Sequence, residues 1–292
     1  MSFPFETKPF PIPVVGAGSQ PPEEDGLQYL PMPQGMHAYR MPTLPEPEAL
    51  GGHRGALQAL HGAVAQVRAW RRGEPVAPIT LDALEPADRA LVNQVLGEGE
   101  VSAQVLHDDG TPRVVIQESV FAGVWRVLEH RDDGTTRDTL EIGPVPSILL
   151  ATAQQDGAGP PPAMPPQVPA GVLNAVPLLA ELAEHRAQWQ PGRPAEVVNL
   201  TLLPVGPEDI AYLDHGLGTG RIVILSRGYG NCRITDTRVP HTWRVVYYNS
   251  QDTVILNAVE VVGIPEVACA AAEDLADSEE RLVEVLQWVE SA

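Results

Sequence analysis

Two cysteines, eight histidines and two acid–hydroxyl pairs are the groups in this chain whose chemistry could exceed a structural role. Cys232 and Cys269 lie 37 residues apart, too far for a CxxC redox pair and too few for a disulfide framework. Two thiols cannot alone hold a four-thiolate cluster. A soft ligand at Cys232 would suit a transient iron or iron–sulfur passenger; an inert buried thiol is the plainer reading. The histidines are scattered, with no HExxH and no i,i+4 pair, so His215 and His241 read as turn or strand residues rather than metal ligands. Glu118-Ser119 and Asp236-Thr237 each set an acid beside a hydroxyl. A nucleophile needs a third group to orient it, and neither pair has one nearby, so turn or cross-strand hydrogen bonding is the simpler job. No catalytic residue, resident metal or cofactor is assigned.

The glycine runs are helix punctuation. A phosphate loop needs strand, glycines, then helix, so that helix amides face the anion. Gly216-Leu217-Gly218-Thr219-Gly220 stands in the opposite order, after a helix and before a strand. It reads as a helix stop. Val14-Val15-Gly16-Ala17-Gly18 is followed by Gln20-Pro21-Pro22, where no helix can start in register.

The elements around these residues occur twice. Ala69-Trp70-Arg71-Arg72-Gly73 matches Gln188-Trp189-Gln190-Pro191-Gly192, and Pro86-Ala87-Asp88 matches Pro207-Glu208-Asp209. Leu96–Val101 matches Leu217–Ile222, Ile116–Ser119 matches Ile234–Thr237, and Trp125-Arg126-Val127 matches Trp243-Arg244-Val245. The near-constant offset reads as an internal tandem duplication. Each copy is expected to run helix, strand, helix, strand, strand, strand, in an α+β class. Trp125 and Trp243 are expected in the core. Val197–Leu203 reads as a short buried strand, and Cys232–Asn249 as one β-rich span. Asp277-Ser278-Glu279-Glu280 reads as the cap of a final amphipathic helix with Leu282, Leu286 and Val289 on one stripe.

Composition divides the chain into a proline-rich extended arm (1–50), a first repeat (51–154), a proline-rich linker (155–172) and a second repeat with the C-terminal helix (173–292). The arm carries eleven prolines, which remove amide donors and forbid helix. It also carries Met32, Met36, Tyr39 and Met41, adaptable apolar groups suited to contact. Where the copies differ, function has room. The second has Arg227-Gly228-Tyr229-Gly230-Asn231-Cys232-Arg233 where the first has His107–Arg113, and a Gly-Tyr-Gly loop offers an aromatic on a free backbone. Expected partner contacts are therefore Met32, Met36, Tyr39, Met41, Tyr229, Cys232 and His241.

The net charge of −19 disfavours nucleic acid and anionic membranes as partners, and favours a basic segment such as an arginine-bearing targeting peptide. No apolar stretch is long enough to span a bilayer, and Met1–Phe10 carries proline and glutamate where an export signal needs an apolar run. A cytoplasmic location is expected.

A family resemblance rests on Leu96–Ser102, Ile116–Glu118, Gly123–Val127, Val198–Thr201, Leu203-Pro204, Gly228-Tyr229-Gly230, His241–Trp243, Ile264–Val267, Ala271–Ser278 and Arg281-Leu282. Lys8–Val15 and Leu30–Pro33 add to it. With these motifs the chain resembles the HupH family of hydrogenase expression/formation proteins, similar also to HyaF and HoxQ. The resemblance implies an accessory factor for uptake NiFe hydrogenase. Its implied partners are the iron–sulfur small-subunit precursor, before twin-arginine export, and another maturation chaperone. It brings no catalytic residues to carry over.

Overall fold

In the computed structural model the described residues are 53–228 and 230–290. The arm, with Met32, Met36, Tyr39 and Met41, lies outside them, as does Tyr229. The described chain holds six α-helices and ten antiparallel strands, an α+β protein. It forms two compact units, and these cut across the sequence segments. One comprises 53–150, 222–228 and 266–290 (the α1 unit); the other comprises 151–221 and 230–265 (the α4 unit). A strand and the last helix of the second segment therefore complete the unit begun by the first.

Helix α1 (Arg54–Arg71) buries Ala56, Ala59, Leu60, Ala63, Val64 and Val67 at three- and four-residue spacing. Arg68 and Arg71 in its last turn complement the helix dipole. Helix α2 (Pro86–Leu96) starts at a proline, whose missing N–H costs nothing there, and buries Leu91, Val92, Val95 and Leu96. Strand β1 (Ile79–Thr80) is short. Strands β2 (Val101–Leu106), β3 (Pro112–Glu118), β4 (Val124–His130), β5 (Thr136–Ile142) and β7 (Ile222–Ser226) complete the order β1-β5-β4-β3-β2-β7. The core joins α1 and α2 to Phe121, Val124, Leu140 and Ile142, and to Leu275, Leu282, Leu286 and Val289 of helix α6 (Ala272–Glu290). Glu279 of α6 accepts from Arg68 Nε at 2.8 Å and pairs with Arg71.

In the α4 unit, too, helices cover antiparallel strands. Helices α4 (Ala175–Gln188) and α5 (Pro207–Leu217) cover strands β8 (Asn231–Asp236), β9 (Thr242–Tyr248), β10 (Val254–Val261) and β6 (Glu196–Asn199), in the order β8-β9-β10-β6. The core is Leu178, Leu182, Val198, Ile210, Leu213, Leu217, Val259 and Val261 with their neighbours. Helix α3 (Ser147–Gly157) precedes this unit's loop; the sequence reading did not anticipate it.

Matching contacts recur in the two units. Gly97 and Gly218 close α2 and α5 with φ of 57° and 64°, a conformation that glycine reaches without a Cβ clash. Leu96 O accepts from Val120 N at 2.8 Å, and Leu217 O from Arg238 N at 3.0 Å. Asp88 accepts from Gly55 N at 3.1 Å, joining α2 to the start of α1. Asp209 does the same for α4: its Oδ1 accepts from Leu173 N, Asn174 N and Ala175 N at 2.7–2.9 Å, and its Oδ2 from Gly206 N at 3.2 Å. Trp125 and Trp243 are buried, with Nε1 donating to Gly143 O at 2.8 Å and to Val262 O at 3.2 Å.

Four expectations need correction. Each half has four strands after its second helix, because Cys232–Asn249 is two strands parted by a turn at Thr237–His241. Val197–Leu203 is not one buried strand: Asn199 Oδ1 accepts from Thr201 N at 3.0 Å and curls Leu200–Leu202 into a 3-10 turn, leaving Val197 and Leu202 exposed. Asp277–Glu280 lies inside α6, not at its cap, since Ala272 already continues the helix. The 155–172 segment is not all linker, because α3 reaches Gly157.

The Asp209 contacts yield a test. Burial opposes its charge, but four backbone amides outweigh burial and hold its pKa below the usual carboxylate value of 3.8. Its contribution is thus present above that pH and is lost as pH falls below it. Asp209→Ala is expected to cost about 2–3 kcal/mol in urea unfolding at neutral pH, because it leaves several amides at the start of α4 unpaired.

Candidate functional site

The acid–hydroxyl pairs sit where β3 and β8 end, and their hydroxyls are engaged in turns. Ser119 Oγ donates to Phe121 O at 2.8 Å and accepts from Phe121 N at 3.1 Å. Thr237 Oγ1 accepts from Val239 N at 3.2 Å and lies 2.9 Å from Thr242 O. These are the hydrogen-bonding roles read from the sequence. Glu118 and Asp236 are buried. Burial raises Glu118 to about 7; amides of Gly123 and Val101 oppose the rise, while Glu100 and Asp274 add to it. Glu118 Oε1 accepts from Gly123 N at 3.2 Å, so the carboxyl supports the turn into β4. The backbone there is close-packed: a Cβ on Gly99 would fall 2.2 Å from Ser119 O.

Cys232 opens β8 opposite Tyr247 of β9 and is buried. Burial pushes its thiol up to about 12, against a hydrogen bond from Tyr247 that lowers it, and Glu260 adds to the rise. With no metal beside it, this sulfur is a thiol at neutral pH, and a soft metal would have to displace its proton. Cys269 lies in the α1 unit, and burial likewise raises it, to about 11.

His241 sits at the far end of the same hairpin. Cys232 pairs with Tyr247, while Asp236 pairs with Trp243 just after His241. Four rungs of ladder separate the two, about 13 Å. The fold does not bring these expected contact residues together. His241 adopts a φ of 55°, where the matching position in the other hairpin is Gly123, at 77°. Its ring stacks on Trp189 with centroids 3.5 Å apart and planes 12° apart, and partial burial lowers its pKa. Its carbonyl accepts from Val262 N at 2.8 Å. The stack repays backbone strain at a non-glycine residue. His241 is an anchor for the end of α4, with one exposed side.

A buried ion pair lies between these points. Arg244 on β9 reaches Asp214 of α5, Nη1 to Oδ1 at 3.3 Å. Burial raises Asp214 to about 6, Arg244 opposing it, and burial lowers Arg244. Both shifts say that desolvation outweighs attraction in this pair. Arg126, the matching residue on β4, donates to Asp138 of β5 at 3.0 and 2.8 Å and also to Asn93 of α2. Between the units acid and amide trade places: α2 carries Asn93 and α5 carries Asp214, while β5 carries Asp138 and β10 carries Asn257 at the corresponding rung.

Among the described residues, no group of three or more histidine, cysteine or carboxylate side chains is placed to hold a metal ion. No helix there is long and apolar enough to cross a membrane. The exposed large apolar residues concentrate instead in the α4 unit. They include Leu173, Val176, Val197, Leu202, Leu203 and Ile255. Sequence reasoning missed this surface because apolar residues in a periodic segment read as core. It did quote Leu203-Pro204 as a motif, but not its exposure.

A family model described as "HupH hydrogenase expression protein, C-terminal conserved region" matches residues 54–158 and 172–289. The chain belongs to the HupH family. The HupH-family protein named hydrogenase expression/formation protein HoxQ, from Cupriavidus necator, is 52% identical over 287 residues, which is 97% of this chain and 99% of that protein. Hydrogenase expression/formation protein HupH of Rhodobacter capsulatus is 44% identical over 96% of this chain and 98% of its own. Hydrogenase-1 operon protein HyaF of Escherichia coli is 33% identical over 96% of each.

Glu118 predicts a pH dependence. A carboxyl raised from 4.5 to about 7 in the folded state makes its full contribution below 4.5, and that contribution is lost as pH rises through about 7. Asp214, raised from 3.8 to about 6, acts in the same direction. Glu118→Gln should flatten the decline across that window and exceed wild-type stability above pH 7 by up to about 3 kcal/mol, read from urea unfolding at several pH values.

Proposed function

We propose that this chain is an accessory factor in NiFe hydrogenase maturation. It holds the iron–sulfur small-subunit precursor in the cytoplasm during cluster insertion and before export. It works by contact, not turnover, alongside another maturation chaperone. The observation that carries this reading is the match, along nearly the whole chain, to proteins named for hydrogenase expression and formation. The net charge of −19 supports it, since a basic precursor segment would be drawn by long-range attraction. The exposed aliphatic residues of the α4 unit support a contact role as well.

The internal duplication belongs to the same proposal. One family model matches two segments of the chain. The helix stops, the aspartate-to-amide contacts and the tryptophan-to-carbonyl bonds recur at matched positions in them. A doubled scaffold gives a broad surface, and its second half is free to diverge toward a partner.

The rival reading makes Cys232 a carrier of iron or a cluster. A thiol raised to about 12 by burial weighs against it. The two readings differ in one variant. With Cys232→Ser at equal protein level, hydrogenase activity in cells should stay within about twofold of wild type, both in air and without oxygen. Activity near zero in both conditions would replace the holding role with a carrier role. Electrostatic attraction is tested separately. The association rate with purified precursor should fall as salt rises from low to physiological strength, with the dissociation rate nearly constant; a salt-independent association rate removes steering from the account.

A further inference from the structure

We propose that the open edge of β6, with exposed Val197 on that strand, Leu202 and Leu203 just after it, and Leu173 and Ile255 tied to the same bend and turn, is the docking site for an extended, apolar segment of a partner protein flanked by basic residues. The inference rests on the reading of this chain as a holding factor and names where and what it holds. Strand β6 ends the order β8-β9-β10-β6 and pairs only with β10 among the described residues. Its outer edge carries backbone donors and acceptors that an added strand can meet.

The side chains beside that edge are apolar where a solvent edge is ordinarily charged. Leu202 is 81% and Leu173 78% exposed, and Val197 and Ile255 are more than half exposed. Two hydrogen bonds gather them. Asn174 Nδ2 donates to Pro204 O at 2.7 Å, which sets Leu173 beside the Leu203-Pro204 bend. Asn257 N donates to Thr201 Oγ1 at 2.7 Å, which sets the turn carrying Leu202 against β10, two residues from Ile255. These large aliphatic groups forgo burial when left in water. An occupant recovers that.

The rim selects the occupant. Glu196 begins β6, with His185 4.0 Å away, and Glu208 lies in the first turn of α5. On a chain of net charge −19 this rim favours a segment with basic residues flanking its apolar ones. The same charge opposes a second copy, because two edges of β6 would bring two −19 chains together over a strand of four residues. Added main-chain pairing gives affinity, and the aliphatic residues give preference for alternate apolar side chains.

The test uses the full chain and the variants Leu202→Asp and Leu173→Asp, with Trp288→Asp, an exposed apolar residue of the α1 unit, as control. Leu202 and Leu173 are exposed enough for an aspartate to be tolerated, and urea unfolding checks that all three variants are folded before binding is read. Two probes are applied: the hydrogenase small-subunit precursor, and a synthetic peptide of two arginines followed by a leucine–valine stretch. Each patch variant should weaken binding of both probes by about tenfold or more, while the control binds as wild type. Amide exchange at 196–199 in the wild type should slow when either probe is bound. If the peptide binds in this patch-dependent way and the precursor does not bind at all, the docking site stands and the holding role fails. Precursor bound equally by wild type and patch variants, with unchanged exchange at 196–199, overturns the docking site and leaves the holding role. Failure of both probes to bind the wild type overturns both. A wild-type dimer that Leu202→Asp dissociates would assign the edge to a second copy and overturn the proposal.

Discussion

A guanidinium on the central strand ties helix to sheet in each unit, and the surrounding geometry depends on it. Arg126 and Arg244 project from β4 and β9 toward the second helix of their units, where Asn93 and Asp214 receive them. Burying such a charge costs several kcal/mol unless a carboxylate accompanies it. Each unit therefore supplies one acid, from the strand in one case (Asp138) and from the helix in the other (Asp214). The exchange of acid and amide leaves one carboxylate beside each arginine. In each unit the guanidinium thus contacts both the second helix and an acid, joining helix to sheet.

The contacts that repeat are structural, and exposed apolar differences collect in the α4 unit. The hydroxyl-supported turns, the tryptophan bonds to Gly143 and Val262, and the aspartates fastening α1 and α4 occur in both units. The Trp189–His241 stack and the exposed leucines around β6 belong to the α4 unit alone. A scaffold maintained by matched contacts, with one side altered, is the physical form expected of a factor that recognises another protein. The HupH family membership and the chemistry of the surface point the same way. Burial raises the Cys232 thiol, which packs opposite Tyr247 and hydrogen-bonds with it.

Much of this fold was legible in the sequence, and the failures have specific causes. The apolar spacing Leu60-Val64-Val67 and the openings Pro86 and Pro207 gave α1, α2 and α5, and the reversed order around Gly216–Gly220 gave a helix stop. The break between β8 and β9 was hidden because its positive φ falls on His241; Gly123 marks the same break plainly in the first half. The 3-10 turn at Leu200–Leu202 was hidden because Asn199 caps it with a side chain, and residue type alone read as strand. Exposure of Leu173 and Leu202 was illegible for a deeper reason. Hydrophobicity states what a residue would gain by burial, not whether the chain provides the burial. Met32, Met36, Tyr39, Met41 and Tyr229 lie outside the described residues, so the arm's part in contact rests on its composition.

The central claim is that the holding role is specific to the small subunit before export. Affinity isolation of the full chain from cells producing hydrogenase, with every co-purifying polypeptide identified and its N-terminus read, tests it most directly. The account predicts the small-subunit precursor, with its leader uncleaved, as the main hydrogenase polypeptide recovered. Recovery of the large subunit in its place, of mature small subunit alone, or of no hydrogenase polypeptide would contradict it.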